Sequence, residues 1–265
     1  ILMELTMKSR LPIVFASLII AVTSTNLLAE SSKEITNAVT SNERAQSHVA
    51  RDKNRKPAGI LSLLGVKSGM KIADLTSGSG YYTDILSRVV GKEGQVIAHN
   101  PPYVINRFAG YFTDEKNGWP AQLKNKQWST NVVSNTDELD TIKLPVQLDG
   151  ALMVLFYHDT VWQGVNRQMM NQRIFNALKP GGVYLIVDHN AKSGTGIKDV
   201  DKLHRIEKQF VIDEITKAGF VLDVDSNLLA HPKDTRDYSF VRDQQTNRDQ
   251  TDRMVLKFVK PIKVG

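Results

Sequence analysis

The sequence contains no cysteine among its 265 residues. That absence excludes a disulfide framework and a thiol for lipid attachment. Without Cys, and without a His-x-x-x-His spacing, no pattern reinforces a metal site, and none is expected. Basic blocks are missing as well. Lys and Arg outnumber Asp and Glu by 34 to 28, for a formal net charge of +6. The cations are scattered among the acids and are not interleaved with aromatics, so they read as a solvated surface rather than a nucleic-acid interface. There is no internal repeat and no low-complexity tract. No apolar run reaches the ~20 residues of a membrane-spanning helix, so no stable membrane anchor is expected. With 41% hydrophobic and 23% charged residues, the chain can bury an ordinary core.

What is present begins at the N-terminus. Lys8 and Arg10 precede an apolar run, Leu11 to Val22, and a polar stretch then closes on Leu27-Leu28-Ala29. This is the pattern of a secretory signal peptide over residues 1–29, with Ala29 at the cleavage site and Met7 as the natural start. Export to the periplasm, or secretion, follows as the expectation. Residues 30–56 read as a polar, helical leader. The remaining residues, 57–265, read as one domain.

Within that domain, helix and strand alternate. Ile60 to Val66 is an apolar helical stretch, Lys71 to Leu75 a short buried strand, Tyr82 to Val90 an amphipathic helix, and Gln95 to His99 the next strand. A short strand is expected near Asn131 to Ser134. Leu148 to Phe156 is a strong buried strand, and a helix follows over Arg167 to Leu178. Lys179-Pro180-Gly181-Gly182 breaks that helix before the strand Val183 to Val187. Lys202 to Ala218 repeats at helical spacing. Phe220 to Val224 and Met254 to Val259 alternate like paired strands. The expected class is α/β, with a mostly parallel sheet covered on both faces and an antiparallel edge. The connection before the last strand, about 25 polar residues, is long for a compact domain and is a candidate functional loop.

In such sheets ligands bind beyond the carboxyl ends of the strands. The first strand-to-helix turn reads Asp74-Leu75-Thr76-Ser77-Gly78-Ser79-Gly80-Tyr81-Tyr82-Thr83. Its glycines allow a tight turn and a close approach by a ligand.

This turn resembles motif I of the class I S-adenosylmethionine-dependent methyltransferases. Gly91-x-x-Gly94-Gln95-Val96 and Leu178-Lys179-Pro180-Gly181-Gly182 follow in the order seen in that family. Gly80-Tyr81-Tyr82-Thr83, Tyr157-His158-Asp159, Asp188-His189, Leu203-His204-Arg205-Ile206 and the run Thr251 to Pro261 resemble a group of exported methyltransferases. The resemblance covers about Pro57 to Lys260. It implies a Rossmann-like sandwich with a seven-stranded sheet, S-adenosylmethionine as cofactor, and a small-molecule or envelope substrate. It further implies that Asp74, Thr76, Gly78, Gly80, Tyr82 and Asn100 form the cofactor site, with Asp74, Gly78 and Gly80 at the amino-acid moiety. Two positions depart from the pattern. Thr76 stands where the motif has its first glycine. Asn100 stands where many relatives carry an acid that accepts both ribose hydroxyls, and an amide lacks that charge.

His158, Asp159 and His189 are the candidate catalytic residues, because they follow two central strands and an imidazole suits proton transfer at neutral pH. Asp159, Asp188 and Asn190 also resemble the magnesium-holding set of catechol-type O-methyltransferases, at a loose spacing. Tyr81, Tyr82, Tyr157 and Trp162 are expected to wall the site. His204 reads as part of a helix-surface network. A binding protein that kept the fold and lost the methyl donor is the alternative function. A metal-assisted hydrolase is a third.

Overall fold

Strands β1 (Lys71–Leu75), β2 (Gln95–His99), β3 (Val132–Asn135), β4 (Leu148–Val154), β5 (Leu178–His189), β6 (Val221–Ser226) and β7 (Arg253–Val259) form one sheet in the order β3-β2-β1-β4-β5-β7-β6. The computed structural model describes residues 32–241 and 250–262. The expected signal peptide therefore lies outside the described residues. From β3 to β5 every pairing is parallel, whereas β7 runs antiparallel to both β5 and β6. The antiparallel strand is thus inserted one place inside the edge, and β6 takes the edge itself.

The central strands are apolar almost throughout because both of their faces are covered, as expected for a parallel sheet. Side chains of Ile72, Leu152, Leu185 and Val255 pack with Ile60, Leu61, Ile85 and Leu86 from helices Pro57–Leu64 and Tyr81–Val90. Their strand neighbours Ala73, Ala151, Tyr184 and Ile186 face the other way. There they meet Met170 and Ile174 of helix Arg167–Ala177, and Val211 and Ile215 of helix Lys208–Lys217. Each aliphatic side chain fully removed from water here contributes ~1.5–3 kcal/mol.

Two sequence expectations need correction. The apolar spacing over Lys202 to Ala218 suggested one helix, but the chain forms Val200–Leu203 and Lys208–Lys217 with a break between them. His204 sits in that break at φ 51°, in the left-handed region. The buried side chains of Arg205 and Ile206 and the bridge between Asn190 and Ile206 compensate. Similarly, Lys179 to Gly182 does not separate helix from strand. Leu178 already pairs with Leu148 and Val183 with Gly150, so the intervening residues bulge out of a continuous β5.

The leader is docked on the domain. Residues 32–39 are helical, and Ile35 and Ala38 enter the core beside Tyr81 and Leu229. Short helices follow at Gln46–Val49 and Asp52–Arg55. Arg44 donates to both oxygens of Asp52, at 2.6 and 3.0 Å, and the Tyr81 hydroxyl donates to Asp52 at 2.6 Å. The leader is thereby tied to the helix that begins after the glycine turn.

The long connection between β6 and β7 is held by Arg205. Its side chain and that of Asp234 are both without exposed surface and pair at 2.8 Å. The guanidinium also donates to the Asn190 carbonyl and lies over the Tyr238 ring. Removing one partner of such a pair leaves a buried charge alone, at a cost of about 3–5 kcal/mol. Arg205→Ala is accordingly expected to lower unfolding free energy by about that amount. Urea denaturation checks it, and amide exchange should be fastest over 227–241; a loss under about 1 kcal/mol, typical of an exposed pair, would contradict the assignment.

Candidate active site

Beyond the carboxyl ends of β1, β4 and β5 lies a cavity of about 1020 Å³. The Thr76–Ser79 turn forms one wall, and Val154 to Phe156 forms the floor. His158, Asp159, His189 and His204 line the far side, while Arg51 and Arg55 of the leader stand near the turn. Six non-glycine residues have a left-handed backbone among those described, and three of them, Thr76, Leu155 and His204, line this cavity. Such conformations cost of order 1–3 kcal/mol each and concentrate at functional sites.

Thr76 has φ 56°, which is why the motif normally has glycine at this position. The strain is borne by a network beneath the turn. The Thr76 hydroxyl donates to Leu75 O at 2.6 Å, and the Ser77 N–H donates to His99 O at 2.8 Å. His99 accepts from the Thr76 N–H through Nδ1 and donates through Nε2 to Asp137 O at 2.9 Å. Burial pushes this ring down to about 4, so it stays neutral. Asn100 completes the network: its carbonyl oxygen accepts from the Gly78 N–H at 2.8 Å and its amide donates to the Ser77 hydroxyl at 2.9 Å. Asn100 is 1% exposed and does not line the cavity. In this structure Asn100 supports the turn, through one bond accepted by its carbonyl oxygen and one donated by its amide.

The two turn glycines differ. A Cβ on Gly78 would meet nothing within 4 Å, and the residue lines the cavity. A Cβ on Gly80 would come within 2.1 Å of the Trp128 ring, and this residue is not part of the cavity wall. Gly80 therefore serves packing, not ligand contact. Tyr82 is 3% exposed and belongs to the core while its ring reaches the cavity. Tyr157, expected in the wall, instead turns into the core, where it donates to Glu214 and accepts from Asn171.

Asp74, at the end of β1, is buried and accepts from the Thr83 hydroxyl at 2.6 Å. Burial raises its carboxyl to about 7, against the lowering pull of Thr83 and Arg55.

Across the cavity, His158 is fixed from both sides. Nδ1 lies 2.7 Å from Asp188 Oδ1, and Nε2 lies 3.1 Å from Asp159 Oδ1. Burial alone would lower this ring, but the two carboxylates outweigh it and push it up to about 10. Both ring nitrogens of His158 are thereby engaged by carboxylates, which favours its charged form. Burial opposes the charge on Asp159 too, yet hydrogen bonds from His158, His204 and Trp162 hold it well below the usual carboxylate range. His189 packs on Phe240 with ring centroids 3.8 Å apart, and Nδ1 lies 2.9 Å from the Thr251 hydroxyl. His204 is the residue that sequence reasoning left on a helix surface. The break in its helix turns it into the cavity, with Nδ1 3.4 Å from Asp159. Of the residues that resemble a magnesium-holding set, Asp188 is bound to His158 and the Asn190 amide donates to Asp252 at 3.1 Å.

The family model described as protein-L-isoaspartate(D-aspartate) O-methyltransferase matches residues 31–105, which span the leader, β1, the glycine turn and β2. Among solved structures, an S-adenosylmethionine-dependent methyltransferase from Aquifex aeolicus is similar at 19% identity and a TM-score of 0.54, over 79% of this chain and 93% of that one. The fold is that of S-adenosylmethionine-dependent methyltransferases. Another, from Mesorhizobium loti, is 15% identical with a TM-score of 0.50, over 76% of this chain and 95% of that one. The cyclase SpnF is 13% identical with a TM-score of 0.59, over 91% of this chain and 96% of that one. A comparison with curated proteins finds no match.

Two consequences are measurable. Asp74 holds a proton more tightly folded than unfolded, so its contribution to stability is full below about pH 4 and is lost as pH rises through about 7. The loss amounts to roughly 4 kcal/mol at 1.36 kcal/mol per unit. Asp74→Asn should match wild type near pH 4 and exceed it increasingly up to about pH 7 in urea denaturation; a difference independent of pH would contradict a buried carboxyl. Gly80→Ala should lose roughly 2–5 kcal/mol, from left-handed strain together with overpacking against Trp128. A variant as stable as wild type would show that Trp128 moves freely.

Proposed function

We propose that the chain is an exported S-adenosylmethionine-dependent methyltransferase acting on a small molecule or envelope component. One observation carries this reading: the cavity presents a carboxyl, Asp74, and two guanidiniums, Arg51 and Arg55, around a turn with open space at Gly78. S-adenosylmethionine carries an ammonium, a carboxylate and a sulfonium. A cationic ligand group beside Asp74 would offset the desolvation that raises its carboxyl, and the guanidiniums suit the carboxylate. Asp74, Thr76, Gly78 and Tyr82 would then hold the cofactor, with the turn backbone approached closely at Gly78.

In this reading His189 takes the proton of the methyl acceptor. The charged His158 and Asp159 orient the acceptor beside it. Tyr103, Phe108, Trp162 and Val241 line the cavity and are all at least 36% exposed, so they form an apolar rim suited to an apolar or aromatic substrate body. Export rests on Lys8, Arg10 and the apolar run Leu11 to Val22. Among the described residues no helix is long and apolar enough to cross a membrane.

A second reading, a binding protein without the methyl donor, is favoured by the bonds of Asn100 to the turn, since a fold alone does not fix function. Calorimetric titration with S-adenosylmethionine and S-adenosylhomocysteine separates the two. The methyltransferase reading expects both to bind one per chain. Gly78→Asn, which tolerates the left-handed backbone, should weaken both by about tenfold or more, or at least 1.4 kcal/mol. No heat of binding from wild type would leave the second reading in place.

A further inference from the structure

Three side chains on the cavity wall converge in a way that proton transfer alone does not require. His158, Asp159 and His204 each offer one ligand atom, and these three atoms all lie within 4.8 Å of one another. His158 and Asp159 are separated by 3.1 Å, and His204 and Asp159 by 3.4 Å. Ligands ~2.0–2.2 Å from a common metal ion are about 3–3.5 Å apart, so two of the three separations already have the spacing of a coordination sphere.

A second, independent observation concerns the far nitrogen of His158. Its Nδ1 is bonded at 2.7 Å to Asp188, whose side chain has no exposed surface, and the same carboxylate accepts from the His158 backbone N–H at 2.7 Å. A carboxylate behind an imidazole fixes the ring and raises its basicity as a ligand, the usual support of a metal-binding histidine. His204 holds a left-handed backbone at φ 51° with its Nδ1 3.4 Å from Asp159, a strained conformation of the kind found at functional sites.

We propose that His158, Asp159 and His204 bind a divalent transition-metal ion, with Asp188 as the outer support of His158. Two imidazoles and one carboxylate select zinc, iron, cobalt or nickel over magnesium and calcium, which prefer all-oxygen sites. Three protein ligands leave further coordination positions, and these face the cavity, where an oxygen or nitrogen of a bound molecule can complete the sphere. The ion takes the place of the proton that links His158 to Asp159.

The site is tested with the untagged, metal-stripped full chain and Co²⁺ as probe, in the absence of any methyl donor. Failure here is therefore distinct from failure of the methyltransferase reading. One equivalent should bind, with visible d–d absorption and a rise in Tm. His204→Asn keeps the left-handed backbone and should weaken binding beyond the 10–100-fold typical of an outer-shell change, which is the loss expected for Asp188→Asn. Asp159→Asn is a second check, and His231→Asn, remote from the cluster, should change nothing. Absence of saturable binding by wild type overturns the proposal. So does equal binding by folded His204→Asn and Asp159→Asn, since the ion would then sit elsewhere.

Discussion

A carboxylate with no exposed surface, Asp188, holds the site together. It accepts the backbone N–H groups of His158 and His189 and the Nδ1 proton of His158, each at 2.7 Å. These bonds join the segment after β4 to the end of β5, so the two strand ends act as one unit. Removing such a charge from water is tolerable only when it is fully hydrogen-bonded, and Asp188 meets that condition through residues that also line the cavity. The orientation of His158, and through it of Asp159 and His204, depends on this arrangement.

Opposite this rigid side lies a wall under strain. Thr76 and Leu155 hold left-handed backbones at the ends of β1 and β4, and Asp74 is buried with a carboxyl raised to about 7. Each of these lowers stability in the ligand-free protein. A stable sheet, packed on both faces, carries that cost. Local choices that contradict the surrounding fold usually mark function.

The sheet was legible in the sequence because its signals were local. Hydrophobic runs marked β1, β2, β4 and β7, and the Gly/Ser turn marked the start of helix Tyr81–Val90 to within one residue. The site was only partly legible. Asp74, Gly78, His158, Asp159 and His189 do share one cavity. The role of Gly80 depends on Trp128, about fifty residues away and invisible to any local pattern. His204 was missed because Leu203, Ile206 and Phe210 keep helical spacing across the break, and no glycine or proline punctuates it. Asn100 is marked by its position after β2, but its bonds to Ser77 and Gly78 beneath the turn carry no local signal.

The docked leader has a consequence for the order of assembly. Lys56 bonds to the carbonyl of Leu228, and Arg253 in β7 donates to the carbonyl of Asn54, a span of 199 residues. The segment carrying Arg51 and Arg55 is therefore held both by Tyr81, through Asp52, and by Arg253 of β7. Long-range closures of this kind form late in folding. The wall that Arg51 and Arg55 give the cavity is complete only when β7 is in place. One side of the binding wall thus depends on Asn54 and Lys56 meeting Arg253 and Leu228, which lie far away in sequence.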